Sequence, residues 1–246
     1  MVRIGWKLML GTGLVMVSLA VFGIHVFIFE DAHWLEKYLV FYLGFLPIEV
    51  IVVTLILDRL IEAREHQERM EKMNMVIGIF FSEIGTDLLK LIVIEDPAIE
   101  EIRSSLQITG QWKAEDFARL NEIMKAHKFR AQFDAAELSA IKGLLSRKRS
   151  LLVQLLENPI LLEHEEFTNL LRAVFHLAEE LDYRIEVEKL PVTDLAHLSA
   201  DTSRVYGLLA GEWLTYVKYL EGHYPYLFSL AIRTNPFDEK ASPVVE

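Results

Sequence analysis

The sequence predicts an all-α fold, in which a two-helix transmembrane hairpin is followed by a cytoplasmic helical bundle and the second span continues as a long helix. Three observations lead to this prediction. The 246 residues are 52% hydrophobic, with a mean hydropathy of +0.25, which is high for a soluble protein. Two long apolar runs lie within the first 57 residues. Beyond them, apolar residues recur at helical spacing between capping residues and prolines.

The first predicted span covers about residues 6–29. No charged side chain occurs in residues 8–29, and such a run is long enough to cross a hydrocarbon core of ~30 Å. A secretory signal peptide is the alternative, but its apolar part has about 7–15 residues and ends at small side chains. This run is longer, ends in bulky residues at 27–29 and precedes a second span, so we expect a membrane helix.

The second predicted span covers about residues 38–57, and Glu49 is its only charged residue. An acidic side chain near the middle of a bilayer costs ~3 kcal/mol or more, unless it is neutral, paired or in contact with water. Intramembrane acids therefore mark functional sites by default. Glu49 is the first candidate site residue of this chain.

Basic residues at the ends of the spans predict the orientation. Arg3 and Lys7 precede the first span, and Arg59, Arg64 and Arg69 follow the second, whereas loop 30–37 holds one lysine against three acids. Because lysine and arginine collect on the cytoplasmic side, both termini are expected inside. The sequence thus predicts a multi-pass protein of the cytoplasmic (inner) membrane, with the lipid bilayer as its surroundings.

The soluble part is expected to be helical throughout. No glycine or proline lies between Pro47 and Gly78, so the second span should continue as an extension over residues 58–96, ended by the Asp96-Pro97 pair. A helical domain follows over 97–235, and a flexible tail over 236–246. Within that domain Asp134, Asn158-Pro159 and Pro191 are expected to begin helices. Apolar residues at helical spacing are expected to be buried, namely Phe167, Leu171, Val174, Leu198, Val205 and Leu209.

Apolar residues in the extension are spaced by three and four, at Met70, Met73, Ile77, Phe80 and Ile84. This spacing is typical of a coiled-coil seam, although it covers fewer heptads than a confident assignment needs. It equally suits a helix that packs on its own domain. Both interpretations stay open at the level of sequence.

Polar residues in the two spans share a spacing of seven. Ser18 and His25 lie on one stripe of the first span, and Tyr42 and Glu49 lie on one stripe of the second. In an antiparallel hairpin, Ser18 matches Glu49 in depth and His25 matches Tyr42. Two interpretations follow: an ion or proton path through a homo-oligomer, or interhelical hydrogen bonds that fasten the spans together.

The soluble domain carries a second set of candidates, for a divalent metal. Histidine and carboxylate residues four positions apart share a helix face and can share a metal ion. The candidate ligands are His164, His176, Glu180, His197 and Asp201. Surface ion pairs explain the same spacing more simply, and no cofactor is otherwise predicted.

Composition and motifs exclude several classes of function. The chain has no cysteine, which excludes thiolate catalysis and cysteine-ligated zinc. Its net charge of −11 disfavours a nucleic-acid partner. None of the phosphate-binding, nucleophile-elbow or zinc-protease motifs occurs, so we do not expect an enzyme.

Two spans, a short acidic loop and a mid-span acid resemble the outline of small oligomeric channels. The outline is similar to the pore subunit of the mitochondrial calcium uniporter, without its Trp-Asp-Ile-Met-Glu motif, and to the rotor subunit of ATP synthase, without its glycine-rich helix. Glu49, which two helices alone cannot shield from lipid, leads to the first functional prediction, an ion-conducting or proton-coupled homo-oligomer. The alternatives are a membrane-anchored scaffold or sensor with a cytoplasmic protein partner, and a metal-binding helical domain.

Overall fold

The computed structural model describes residues 2–29, 32–161 and 164–244, and these residues form helices, turns and loops without a β-strand. The predicted all-α fold is confirmed. The chain divides into two compact units, Met1–His66 and Gln67–Glu246. Of the predicted loop between the spans, Glu30 and Asp31 lie outside the described residues, as do the last two residues of the predicted tail.

Helix α1 (Val2–Phe29) and the first part of α2 (Ala32–Phe80) make up the first unit. By length and composition, both are able to cross a membrane. Side chains between residues 11 and 28 are exposed, except for the half-buried His25 and Val26, and every described side chain from 33 to 66 is exposed. An apolar surface of this extent requires lipid or protein around it.

The second unit begins with the end of α2, a π-helical turn at Phe81–Gly85 and helix α3 (Thr86–Val93). The apolar seam of the extension packs here within its own unit, except for Met70, which is exposed. Met73 and Ile77 are 4% and 3% exposed, and Phe80 and Ile84 are fully buried. In the structure this helix packs on its own domain, which is the second interpretation of the seam. These four side chains lie in the domain core rather than on a surface.

Further helical segments follow in the described part of the second unit, before its last helix. They are α4 (Glu100–Arg103), a 3-10 turn (Ser104–Leu106), α5 (Ala114–Ala126), α6 (Ala135–Leu156), α7 (Glu165–Asp182), a second 3-10 turn (Val187–Lys189) and α8 (Val192–His223). Helix α9 (Pro225–Arg233) follows. The long α8 is central, since α3, α5, α7 and α9 all pack against it.

Residues predicted to be buried from their helical spacing form the middle of this core. Each is at most 1% exposed: Phe167, Leu171, Val174, Leu198, Val205 and Leu209. Burying a side chain of this kind stabilises the fold by roughly 1.5–3 kcal/mol. The facing sides of α7 and α8 therefore supply much of the stability of the unit.

Capping residues explain where the helices begin, with one correction. Asp134 caps α6, accepting hydrogen bonds from the N–H groups of Ala136 and Glu137 at 2.8 and 2.9 Å. The helix expected to begin at Asn158-Pro159 begins later, at Glu165. The side chain of Asn158 instead accepts the N–H of Ile160, two residues on, which closes a turn before the helix.

The predicted flexible tail begins with an anchored residue. Phe237 is 1% exposed, and its ring packs edge-on against Trp213 with centroids 5.3 Å apart. Its carbonyl accepts a hydrogen bond from Arg103 at 3.0 Å. The boundary predicted at residue 236 is therefore too early, because an aromatic side chain there completes the core around α8.

Candidate functional site

One face of α2 carries a row of aromatic side chains that ends at Glu49. Ring centroids are 5.2 Å apart for Trp34 and Tyr38, and 6.0 Å apart for Tyr38 and Tyr42. The Tyr42 hydroxyl lies close enough to the Glu49 carboxylate to interact with it. Spacings of four and seven place all four residues on one helix face. The three rings are 44–48% exposed, so this face is open to another molecule.

Pro47 adds a further polar group near Glu49. It lies inside α2 and has no backbone N–H, so the carbonyl of Leu43 loses its helical hydrogen bond. Such carbonyls in membrane helices find partners in side chains, water or neighbouring helices. The middle of the second predicted span therefore combines a carboxylate, a phenol and a carbonyl that lacks its helical N–H partner.

The predicted pairing between the two spans places His25 against Tyr42 and Ser18 against Glu49. In the structure the ring of His25 lies 4.9 Å from that of Trp34. Ser18 and Glu49 are both exposed, and no hydrogen bond joins these two described residues. The pairing of Ser18 with Glu49 and of His25 with Tyr42 stays a prediction.

The small-residue face of α1 is also open. A Cβ atom added at Gly11, Gly13 or Gly23 would meet nothing within 4 Å. Glycine faces in membrane helices allow close approach of a second helix. In a single chain this face has no such neighbour among the described residues.

Four of the five predicted metal ligands come together between α7 and α8. The Nε2 atoms of His176 and His197 lie 3.6 and 3.5 Å from Oδ2 of Asp201, and His197 lies 3.8 Å from Glu180. Oδ2 of Asp201 is buried without a hydrogen-bond partner. Its other oxygen accepts a hydrogen bond from Arg204 at 2.8 Å.

Arginine residues hold the carboxylates of this cluster. Arg184 donates to Glu180 at 2.7 Å and to both oxygens of Asp194 at 2.7 and 2.8 Å. These hydrogen bonds lower the pKa values of Glu180 and Asp194. Across the described part of the chain, no three histidine or carboxylate side chains are arranged to hold a metal ion. The carboxylates of Glu180 and Asp201 thus form ion pairs with Arg184 and Arg204, and metal binding at this cluster stays a prediction.

His164, the fifth predicted ligand, has a structural role instead. It precedes the first residue of α7, and its Nδ1 accepts the N–H of Phe167 at 3.0 Å. The imidazole thus replaces the serine or aspartate that usually caps a helix.

A groove of about 1010 Å³ lies along the first half of α8 and was not predicted from the sequence. Its second wall is formed by residues 129–134. They belong to the segment 128–134, which connects α5 to α6 and is here called the strap. Phe129 and Phe133 supply aromatic surface to the groove, while Arg130 and Arg204 supply positive charge. Such a site, apolar with a few polar groups, suits ligand binding.

Acidic residues line the other part of the groove. Glu95 follows α3, and burial together with the neighbouring Glu137 carboxylate raises its pKa. Glu137 accepts the N–H of Asp134 at 2.7 Å, so it is fixed by the cap of α6. Two carboxyl groups held side by side in a groove attract a cationic group, because a positive charge relieves their repulsion.

Comparison with known proteins gives the family of the chain. Residues 2–61 match the N-terminal helical domain of MJ1433, and residues 69–233 match the C-terminal helical domain of the same protein. The chain belongs to the MJ1433 family. The MJ1433 protein of Methanocaldococcus jannaschii, described as uncharacterized, is 40% identical over 241 residues, covering 98% of this chain and 97% of that protein. No solved structure matches the chain significantly.

Proposed function

We propose that this member of the MJ1433 family is an integral membrane homo-oligomer in which Glu49 binds a proton or a cation. The observation that carries the proposal is the face formed by Trp34, Tyr38, Tyr42 and Glu49, which is polar, aromatic and open in a single chain. A carboxylate at mid-membrane depth requires a partner, water or a proton. Two helices alone do not shield it from lipid.

Oligomerisation would shield Glu49 from lipid, and the chain has open helix faces through which copies can associate. The open glycine face of α1 suits close approach of a helix from a second copy. Carboxylate rings formed in this way are a standard element of cation-selective pores. In the proposed topology both termini are cytoplasmic, as the positions of Arg3, Lys7 and Arg59 favour.

Substitution of Glu49 tests the proposal. Glu49→Gln keeps the shape and hydrogen-bonding capacity of the side chain but removes its charge and titration. In liposomes with a proton or cation gradient, we expect wild-type flux and at least a tenfold loss in Glu49→Gln, with unchanged oligomer mass. Ile51→Val, an apolar change at nearly the same depth on another face, is the matched control. Absence of flux in the wild type under every gradient contradicts the proposal.

The topology is tested separately, in a chain that has no natural cysteine. Single cysteines at position 32 and position 242 are labelled with an impermeant reagent in intact cells. We expect labelling of Ala32→Cys and none of Ser242→Cys until the membrane is opened. Equal labelling of both positions contradicts the two-span arrangement.

A second candidate function is a membrane-anchored protein that binds a cytoplasmic partner. The groove along α8 favours it, since this groove is large, mixed in charge and separate from Glu49. In that case Glu49 fastens helices together, and Glu49→Gln leaves every activity of the protein nearly unchanged, because polar contacts between membrane helices average ~0.6 kcal/mol. The two candidates are therefore distinguished by the same variant.

A further inference from the structure

One carboxylate oxygen in the second unit is buried without a partner. Asp201 of α8 is 9% exposed, and its Oδ2 atom has no hydrogen-bond partner among the described residues. Arg204 donates to the other oxygen, Oδ1, at 2.8 Å, so it holds the carboxylate in place without occupying Oδ2. Because buried polar atoms in native proteins are nearly always paired, an unpaired one points to a group that completes the site.

Two imidazole rings approach this oxygen from different helices. Nε2 of His176, on α7, lies 3.6 Å from Oδ2 of Asp201, and Nε2 of His197, on α8, lies 3.5 Å from it. In a tetrahedral zinc site, nitrogen and oxygen ligands bind about 2.0–2.2 Å from the metal and therefore lie ~3.4 Å from one another. Each imidazole is thus close to the distance from Asp201 that two ligands of one metal ion require.

The two rings are free to complete such a site. As they stand, the described side chains do not surround an ion. The side chains of His176 and His197 are 48% and 55% exposed, so each ring can turn toward the other without disturbing the core. Asp201, in contrast, is fixed by burial and by Arg204. The cluster therefore consists of one rigid ligand and two adjustable ones.

The charges around the rings favour a divalent cation. Three carboxylates, those of Glu180, Asp194 and Asp201, share the guanidinium groups of Arg184 and Arg204, so negative charge is in excess. Oε2 of Glu180 accepts a hydrogen bond from Arg184 at 2.7 Å. Glu180 is therefore a neighbouring charge rather than a ligand, and Oδ2 of Asp201 is the carboxylate oxygen that is open to an ion.

We propose that His176, His197 and Asp201 bind a divalent transition-metal ion, with Zn²⁺ as the best match. Two imidazole nitrogens and one carboxylate oxygen suit Zn²⁺, Co²⁺ or Ni²⁺, whereas Mg²⁺ and Ca²⁺ prefer oxygen ligands alone. Three protein ligands leave the fourth position to water. The ion joins α7 to α8, which pack against each other. The proposal depends neither on Glu49 nor on the groove.

Metal binding is tested with the untagged full chain in lipid nanodiscs. The chain has no cysteine, so no thiolate competes for the ion. We expect one tightly bound Zn²⁺ per chain in calorimetric titration at neutral pH, unaffected by an excess of Mg²⁺. Co²⁺ should give the visible absorption of a tetrahedral site, and Zn²⁺ should displace it. Absence of stoichiometric Zn²⁺ binding by the wild type overturns the proposal.

Single substitutions assign the ion to this cluster. His176→Ala and His197→Ala each remove one ligand and should weaken Zn²⁺ binding at least tenfold. His66→Ala, at an exposed histidine of α2, is the matched control and should change the affinity less than twofold. Equal affinities of the three variants overturn the proposal. Glu49→Gln should bind Zn²⁺ as the wild type does, so failure of this proposal leaves the one for Glu49 intact.

Thermal unfolding separates a metal site from simple ion pairing between Asp201 and a protonated imidazole. A metal that binds the folded chain stabilises it, so Zn²⁺ should raise the melting temperature of the wild type, and EDTA should reverse the rise. His176→Ala and His197→Ala, shown to be folded by circular dichroism without metal, should not respond. A wild type that does not respond to Zn²⁺, with lower melting temperatures in both variants, assigns the cluster to ion pairing and overturns the proposal.

Discussion

The Nε2 atom of His127 lies 2.9 Å from Oδ2 of Asp96, and the two side chains are 4% and 0% exposed. This contact joins the turn after α3 to the start of the strap. The other carboxylate oxygen of Asp96 accepts the N–H of Ala98 at 3.0 Å. The ring of Phe129 packs against both His127 and Tyr206, with centroids 4.7 Å apart in each case. The groove is thus supported from inside by a buried acid–imidazole pair.

Removal of the imidazole should destabilise the protein. His127→Leu leaves a buried carboxylate with one partner fewer, and loss of one member of a buried pair costs about 3–5 kcal/mol. The double variant Asp96→Asn/His127→Leu should recover part of this loss, because the amide carries no charge. Urea unfolding in detergent, followed by circular dichroism, measures both. A loss under ~1 kcal/mol in His127→Leu contradicts the expectation.

Glu212 should make stability depend on pH. It lies in α8 at 6% exposure, and burial, with the nearby Glu166, raises its pKa to about 7. In the unfolded chain its pKa is near 4.5. A raised folded-state pKa means that the folded form binds the proton more tightly, so stability is fully present below pH ~4.5 and falls as the pH rises to about 7.

Glu212→Gln should remove this pH dependence. The shift corresponds to roughly 3 kcal/mol at most, so the variant is expected to be more stable than the wild type at pH 8 and similar at pH 4.5. Thermal unfolding over this pH range gives the comparison. Glu101→Gln, at an exposed position, is the control and should follow the wild type. A Glu212→Gln curve parallel to the wild type would disprove the assignment.

Gly85 should not tolerate a side chain. A Cβ atom there would lie 2.6 Å from Cδ1 of Phe81 and 2.8 Å from Cε1 of Phe80. Both rings are at most 1% exposed and have little room to move. Overpacking of a core costs about 1–3 kcal/mol, so Gly85→Ala is expected to lose that amount in chemical unfolding.

The matched control for Gly85 is another helical glycine. A Cβ atom at Gly211 in α8 would meet nothing within 4 Å. Gly211→Ala should therefore be neutral or gain up to ~1 kcal/mol, because alanine restricts the unfolded chain. Equal effects of the two substitutions would show that the π-helical turn does not need glycine.

The contribution of Arg184 to stability should depend on the shape of its guanidinium group. It is 17% exposed and bonds to Asp194 with two nitrogens while a third reaches Glu180. Lysine cannot form this fork, so Arg184→Lys is expected to cost about 1 kcal/mol and Arg184→Met about 2 kcal/mol. Arg119→Lys, an exposed single pair with Asp116, should change stability by under ~0.5 kcal/mol. Similar losses in Arg184→Lys and Arg119→Lys would contradict the role of the fork.

The all-α fold could be predicted from the sequence because helices depend on local signals. Asp134 caps α6 where its side-chain chemistry predicts, and residues such as Phe167 and Val205 are buried where their spacing predicts. The seam at Met73 and Ile77 shows the limit of this reasoning. A spacing of three and four is the same whether a helix packs on its own domain or on a second copy.

The candidate sites were harder to predict because they join distant parts of the chain. At the groove, Glu95 lies next to Glu137, and Ala131 is hydrogen-bonded to Ser203. Because these contacts join distant segments, the spacing of residues along one helix does not reveal them. His176 and Asp201 were predicted as metal ligands, and the structure places them 3.6 Å apart. The spacing of histidines and carboxylates did not show that Arg204, one turn along α8, donates to the same carboxylate. The role of Glu49 stays a prediction.

The attachment of the strap has a consequence for the order of folding. Ala131 and Ser203 are separated by 72 residues of sequence, whereas α6, α7 and α8 follow one another and pack as neighbours. Loop-closure entropy delays contacts between distant residues until the intervening chain is compact. The strap therefore docks late, onto helices that are already formed, and three serine hydrogen bonds hold it there. We therefore expect the amide protons of the strap to exchange before those of the core. Local unfolding of the strap would open the groove while the helices beneath it stay folded.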